Sequence, residues 1–178
     1  MNEMRWAVLL DLDQTLVLTA ALLPLRQQQG WQEIEEALHL TTLPQGTHQF
    51  LQQIQGLAAL GVVTSSLRPY AEQVLTYHQL PLPVLAAYDD TEHHKPHPDP
   101  LLKALTTLGI PPARSLYVGD ATEDMLAATE AGVLPIGLCW DEVSLQYLSE
   151  AFPACSLCRS WDNVLVCIRT AIDTAAFK

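Results

Sequence analysis

The stretch WAVLLDLDQTLV, residues 6–17, sets an apolar run directly before two aspartates, Asp11 and Asp13. The uncharged run Trp6–Leu10 predicts a buried β-strand, so both carboxylates stand at its carboxyl end. Like charges a few ångströms apart raise the free energy of ionising both, and burial raises it further. Turns more often use Gly, Asn or a single Asp. The pair therefore indicates either a cation between the carboxylates or a proton held by one of them.

The composition limits the class of protein. The 178 residues are 49% hydrophobic, which predicts one compact domain, residues 1–178, with a substantial core. The formal net charge of −11 argues against nucleic acid or an anionic membrane as partner, because both attract basic surfaces. No apolar run approaches the roughly 18 residues of a membrane span. The start MNEMRW lacks signal-peptide features, so we expect a cytoplasmic protein and leave its oligomeric state open.

Short apolar runs alternate with helical stretches, which predicts an α/β fold with a doubly wound, Rossmann-like parallel sheet. The predicted strands are Trp6–Leu10, Gly61–Val63, Val84–Ala87, Leu116–Val118 and Ile136–Cys139. One helix is predicted to begin at Pro69. A second follows a cap at Asp99, with Pro100 in its first position, and ends at Gly109. A third begins at Thr122 and ends at Gly132, and a closing helix covers Trp161–Ala175. Ligands of such sheets bind at the carboxyl ends of the strands.

The segment from about residue 16 to residue 43 interrupts this alternation. It has no convincing strand, but Ala20–Gln29 and Trp31–Leu38 both suit helices, with Gly30 between them. We interpret it as a small helical cap inserted after the first strand, too short to be a separate domain. Its apolar residues must therefore pack on the core or on another subunit. So small a cap is expected to cover the site only in part and to leave it open. Arg26 is the only arginine or lysine of the cap, and at an open site we expect Arg26→Ala to lose little activity.

Four cysteines, all in the last quarter, include the pair Cys155 and Cys158 in CSLC. This spacing occurs in redox and zinc sites, but no histidine or second such pair lies nearby. We interpret these residues as reduced, partly buried thiols.

Polar groups follow four of the predicted strands. They are Asp11 and Asp13 after the first, Thr64, Ser65 and Ser66 after the second, Lys95 after the third, and Asp120 and Asp124 after the fourth. Each group alone has an ordinary explanation as a turn or a helix cap. Since the strands are predicted to be parallel, all of them converge on one edge of the sheet. The expected cluster contains four carboxylates, one ammonium group and several hydroxyls.

In this order the motifs resemble those of the haloacid dehalogenase superfamily, most of whose members are magnesium-dependent phosphatases. DLDQTL is similar to the first motif, VVTSS to the second, HKPHPDP to the third and VGDATEDMLAATEAG to the fourth, together spanning residues 6–139. Gln14 departs from the pattern, because the family usually has glycine at this position. The departure removes no catalytic group.

The resemblance implies hydrolysis of a phosphate monoester through a covalent aspartyl-phosphate, which divides a very slow reaction into two easier displacements. Asp11 is similar to the nucleophile of the family. Asp13 would protonate the leaving oxygen and then deprotonate the attacking water.

The resemblance also implies how charge is balanced. Magnesium would be held by Asp11, Asp120 and the backbone carbonyl of Asp13, with Asp124 acting through a water or behind the ligands. Lys95 would neutralise charge between the nucleophile and the phosphoryl group. The hydroxyl of Thr64 and the backbone N–H of Ser65 would bind the phosphoryl oxygens.

Several alternatives remain open. A dehalogenase needs no acid for its leaving halide, so the presence of Asp13 favours phosphoryl chemistry. A phosphomutase is not separated from a hydrolase by these residues. A phospho-acceptor signalling domain has its paired acids and acceptor in a different strand order, and a binding protein without turnover would not need every catalytic position. The substrate, a phosphorylated small molecule or a larger phosphorylated partner, is left open.

Overall fold

The computed structural model describes residues 6–28, 31–80 and 83–176. Within these residues the strands are β1 Trp6–Leu10, β2 Ala58–Val63, β3 Leu85–Ala86, β4 Ser115–Gly119, β5 Leu134–Leu138 and β6 Ser156–Cys158. The α-helices are α1 Leu23–Gln27, α2 Trp31–Ala37, α3 Thr47–Gln55, α4 Arg68–Tyr77, α5 Asp99–Leu108, α6 Thr122–Ala131, α7 Glu142–Ala151 and α8 Trp161–Ala176. None of the helices in this part of the chain combines the length and hydrophobicity needed to cross a membrane.

The six strands form one parallel sheet in the order β3-β2-β1-β4-β5-β6. Alternate residues of β1 enter different cores: Val8 and Leu10 join one apolar cluster, and Ala7 and Leu9 join another. Both faces of the sheet are therefore covered, and the doubly wound α/β fold predicted from the sequence is confirmed. The chain proceeds from β1 to β2 on one side and reaches β4 on the other, which makes the β1–β4 edge the switch point where such sheets bind ligands.

Element bounds differ from the sequence predictions in particular places. β2 begins three residues earlier than predicted, and β6 and α7 were not predicted. β6 is a short edge strand in the CSLC stretch, and three residues give little periodic signal. Cys155 and Cys158 are free thiols, and burial raises the pKa of both.

Asp99 does not cap α5 as predicted. It is the first residue of the helix, with Pro98 at the N-cap position. Its carboxylate oxygens lie 2.9 Å from His93 Nδ1 and 3.2 Å from His97 Nδ1. These ring contacts replace the backbone contact that a capping side chain makes.

The segment predicted as an insert is helical over residues 20–27 and 31–40, and Leu18 and Thr42, nearer its ends, form an isolated antiparallel bridge. Two 3₁₀ turns flank α1 and α2, at Ala20–Leu22 and Leu38–Leu40. Leu22 and Ile34 are fully buried and belong to the same cluster as β1, so the segment packs on the core. Gln29, Gly30 and the side chain of Trp31 lie outside the described residues. The assignment of residues 16–43 as a cap remains a prediction.

Gln14 adopts a left-handed backbone conformation with φ of 61°. Glycine reaches this region at little cost, whereas other residues are strained there by about 1–2 kcal/mol. Its side-chain Oε1 accepts a hydrogen bond from the backbone N–H of buried Thr19 at 2.7 Å. This bond offsets the strain and explains how the loop after β1 accommodates glutamine.

Candidate active site

The site is assembled at the carboxyl ends of β1 and β4. The backbone N–H of Asp11 donates to the carbonyl of Val118 at 2.8 Å, which continues the pairing of the two strands. Asp11 is therefore fixed at the sheet edge, with only 5% of the residue exposed. Asp124, in the first turn of α6, is 1% exposed. Two carboxylates from different elements are thus buried at one place.

Lys95 lies between these carboxylates. Its Nζ donates to Asp11 Oδ1 at 2.7 Å and to Asp124 Oδ1 at 2.6 Å. It also donates to the hydroxyl of Tyr117 at 2.9 Å. The side chain is 5% exposed, and attraction to Asp11 and Asp124 outweighs the opposing effect of burial and raises the pKa of Lys95. Lys95 therefore supplies a permanent positive charge inside the site.

One ammonium group does not balance this cluster. Burial, with repulsion from Asp124 and Asp120, raises the pKa of Asp11 well above its usual value although Lys95 opposes the shift. Burial and repulsion from Asp124 raise the pKa of Asp120 to about 6, even though the hydroxyl of Thr15 donates to its Oδ1 at 3.0 Å. Ionising all three carboxyls therefore calls for a further cation.

The donor set fits magnesium. Asp11, Asp120 and Asp124 each offer a carboxylate oxygen, and these oxygens lie within 4.8 Å of one another. Magnesium prefers hard oxygen ligands and is commonly held by one or two carboxylates together with waters. The carboxylate of Asp13 is not part of this group. Its predicted contribution through the backbone carbonyl remains a prediction.

Asp13 lies in a second hydrogen-bond network. Its Oδ1 accepts from the hydroxyls of Thr19 at 2.6 Å and Tyr70 at 2.7 Å. Its Oδ2 accepts from the hydroxyl of Ser66 at 2.5 Å. Arg26 forms an ion pair with Oδ1 at 3.1 Å. The two aspartates of the first motif thus have different environments, one beside an ammonium and carboxylates, the other among hydroxyls and a guanidinium.

The three residues after β2 differ in burial and in their hydrogen bonds. The Thr64 side chain is buried, and its hydroxyl accepts from the backbone N–H of Ser66 at 3.1 Å. Ser65 is exposed. Ser66 was not assigned a role from the sequence, yet it is the residue of this loop that contacts Asp13. Phosphoryl binding by Thr64 and Ser65 remains a prediction.

Two buried tyrosines were missed by sequence reasoning. The hydroxyl of Tyr117 lies 2.9 Å from the carbonyl oxygen of Val63 and 3.0 Å from Asp124 Oδ1, and so connects β2 to the cluster. The sequence does hold a signal for Tyr117, because it places a hydroxyl group inside the apolar strand SLYVG, two residues before Gly119. Tyr70 had none beyond its place on a helix, because its hydrogen bond to Asp13 spans 57 residues of chain.

Gly119 allows Asp124 to approach the sheet. A Cβ at this position would overlap the Asp124 carboxylate. We expect Gly119→Ala to displace this carboxylate from Lys95 and from the backbone N–H of Ala121, which donates to Asp124 Oδ2 at 3.1 Å. The free energy of unfolding should fall by about 1–3 kcal/mol, measured by urea denaturation.

Gly56→Ala is the matched control, because nothing lies within 4 Å of the added Cβ and φ is −78°. Its stability should stay within about 0.5 kcal/mol of the wild type. A Gly119→Ala variant as stable as this control would show that the Asp124 carboxylate has room to move.

Comparison with known proteins agrees with this fold and site. The family model of the haloacid dehalogenase-like hydrolases matches residues 25–138, which is more than half of the chain. The chain belongs to this family.

Curated relatives match a shorter part of the chain. It is 36% identical over 96 residues to pyrophosphatase PpaX of Bacillus cereus (strain AH820), covering 53% of this chain and 44% of that protein. It is 38% identical over 90 residues to phosphoglycolate phosphatase of Escherichia coli (strain K12), covering 49% of this chain and 35% of that protein. The similarity thus spans less than half the length of each relative.

Solved structures extend the similarity over more of the fold. A hydrolase of the same superfamily from Geobacter sulfurreducens is 25% identical with a TM-score of 0.67, covering 75% of this chain and 89% of that one. Another, from Ehrlichia chaffeensis, is 19% identical with a TM-score of 0.69, covering 95% of this chain and 99% of that one. The second likeness shows the fold.

Proposed function

We propose that this protein is a magnesium-dependent phosphatase that hydrolyses a small phosphate monoester through an aspartyl-phosphate on Asp11. The observation that carries the proposal is the separation of the two aspartates at the end of β1. Asp11 faces Lys95 and the carboxylate cluster, whereas Asp13 faces hydroxyl groups and Arg26. A nucleophile and a proton-transfer group need such different surroundings. PpaX and phosphoglycolate phosphatase, by their names, support a small phosphorylated substrate.

In the first displacement, Asp11 attacks phosphorus while the bond from phosphorus to the leaving oxygen breaks. Lys95 bonds Asp11 Oδ1 and leaves the second oxygen as the attacking atom. Asp13 gives its proton to the leaving oxygen. In the second displacement, water attacks phosphorus, Asp13 takes a proton from the water, and phosphate leaves Asp11 with its carboxylate restored.

Positive charge is needed throughout because phosphoryl transfer concentrates negative charge beside three carboxylates. Magnesium, when bound by Asp11, Asp120 and Asp124, supplies charge that offsets the phosphoryl oxygens. Lys95 adds its charge from the protein side. Thr64 and the backbone N–H of Ser65 are proposed to hold the phosphoryl oxygens.

A screen of phosphorylated metabolites tests the proposal directly. Purified protein incubated with magnesium should release inorganic phosphate from at least one small monoester, and excess EDTA should remove this activity. Turnover that persists in excess EDTA would contradict the metal assignment. An aspartyl-phosphate that lasts for minutes without release of phosphate would favour a phospho-acceptor domain.

Asp13→Asn should separate substrates by their leaving group. General acid catalysis contributes roughly 10²–10⁴-fold, and alkyl phosphates need it most because an alkoxide leaves poorly. We therefore expect kcat/KM to fall about 10³-fold for an alkyl phosphate and much less for p-nitrophenyl phosphate. Asp162→Asn, the same change at an exposed residue of α8, is the control. Equal losses on both substrates would show that Asp13 is not the general acid.

A further inference from the structure

Arg26 is built into the site, although it comes from the helical segment and not from a strand end. Its Nη1 lies 3.1 Å from Asp13 Oδ1, and its Nη2 donates to Ser66 Oγ at 2.8 Å. Its Cζ lies 4.5 Å from the centroid of the Tyr70 ring, so the guanidinium stacks on an aromatic surface that is itself buried. Arg26 is therefore held in one orientation by three side chains, those of Asp13, Ser66 and Tyr70.

Asp13 does not need Arg26 for its hydrogen bonds. The hydroxyls of Thr19, Tyr70 and Ser66 already donate to its two oxygens. What Arg26 adds is a positive charge and further N–H groups, since each terminal nitrogen of a guanidinium carries two. The one side-chain hydrogen bond of Arg26 among the described residues is the N–H of Nη2 donated to Ser66, and its contact with Asp13 is an ion pair. The Arg26 side chain is 28% exposed, so solvent and ligands can reach it.

The position of this charge relates it to one part of the substrate. Asp11 and Lys95 face the phosphoryl group in the proposed reaction, whereas Asp13 contacts the leaving oxygen. A cation paired with Asp13 and apart from the Lys95 cluster therefore faces the leaving group. Guanidinium groups bind carboxylates and phosphates through two parallel hydrogen bonds, and this preference is strongest in partly buried sites.

We propose that Arg26 selects substrates whose leaving group carries a second anion, a carboxylate or a phosphate, close to the scissile bond. This inference rests on the proposed phosphatase function and adds the substrate class to it. It replaces the expectation from the sequence that Arg26→Ala loses little activity. In a chain with a net charge of −11, a doubly anionic substrate needs such a local cation.

A matched pair of substrates tests the proposal. 2-Phosphoglycolate and 2-hydroxyethyl phosphate differ by a carboxylate in place of a hydroxymethyl group and have similarly poor leaving groups. The wild type should prefer phosphoglycolate by about 30-fold in kcat/KM, because this is the factor by which a hydrogen bond between two charged groups typically strengthens binding of the transition state. Arg26→Gln should reduce this preference to less than about threefold through loss of phosphoglycolate turnover, and Arg26→Lys should retain part of it.

Arg169→Gln, on the exposed face of α8, is the control and should keep the wild-type preference. If Arg26→Gln lowers kcat/KM equally for both substrates, the proposal is overturned, because Arg26 would then act only by positioning Asp13. A wild type that does not distinguish the two esters would overturn it as well.

Calorimetric binding separates this inference from the proposed function. Asp11→Asn with magnesium should bind phosphoglycolate more tightly than 2-hydroxyethyl phosphate, and the additional change Arg26→Gln should remove the difference. If this binding preference is found but the wild type releases no phosphate, the anion site stands and the phosphatase proposal fails. If phosphate is released but no preference is found in binding or turnover, the anion site fails alone.

Discussion

Asp11→Asn is expected to lower magnesium-dependent phosphatase activity by about three orders of magnitude or more, as loss of a nucleophile does in other enzymes. The variant loses the attacking charge and a ligand oxygen of the metal cluster but keeps its volume. Phosphate release from the best substrate of the screen is the measurement. Near-normal turnover would contradict the proposed mechanism.

The same variant should fold at least as stably as the wild type in the absence of metal. The pKa of Asp11 is raised because burial and repulsion from Asp124 and Asp120 together exceed the attraction of Lys95. A neutral amide carries no buried charge and is not repelled by Asp124 and Asp120, and Lys95 keeps its contact with Asp124. Urea denaturation in EDTA measures this, with Asp173→Asn on the exposed surface of α8 as control. Loss of activity together with unfolding would remove the support for a catalytic role.

Lys95→Met is expected to have the largest effect on stability. It removes the ammonium that lies 2.7 Å from Asp11 and 2.6 Å from Asp124, and both carboxylates are buried. Removing one partner of a buried ion pair typically costs about 3–5 kcal/mol because the other charge is left uncompensated. We expect a loss of about 3 kcal/mol in the free energy of unfolding in EDTA, and loss of activity with it.

A second substitution shows whether uncompensated charge is the cause. Lys95→Met combined with Asp11→Asn should recover more than half of the lost stability, because one of the two buried carboxylates is then neutral. Magnesium should also stabilise Lys95→Met more than it stabilises the wild type. Lys103→Met, in α5, is the control, because Lys103 donates to an exposed backbone carbonyl at Asp90 and not to the cluster. No recovery in the double variant would indicate that lost packing, and not charge, destabilises Lys95→Met.

The convergence of Asp11, Lys95, Asp120 and Asp124 was predictable from the sequence. Each residue follows a strand, and alternating strands and helices indicate a parallel sheet whose carboxyl ends share one edge. The sheet places Asp11, Asp120 and Asp124 within reach of one cation and Lys95 between two of them. The order of strands was sufficient here because each residue lies in the segment that follows a strand, and these segments begin at the same edge of the sheet.

The surroundings of Asp13 were not predictable in this way. Arg26 reaches Asp13 only because the helical segment folds back onto the core, where Leu22 and Ile34 are buried. Tyr70 comes from α4, and Ser66 comes from the loop that precedes it. The hydrogen bonds from Ser66 and Tyr70 to Asp13 join parts of the chain 53 and 57 residues apart, and they depend on side-chain orientation as well as on topology.

By itself, then, the sequence determined the parallel sheet and the edge of it at which Asp11, Lys95, Asp120 and Asp124 converge. Only the tertiary structure decided that the aspartates of the first motif lie in separate networks, with Tyr117 joined to one and Arg26 to the other. The physical reason is that a strand end has one position in a sheet. A hydroxyl or guanidinium on a helix can face several partners, and long-range packing selects among them.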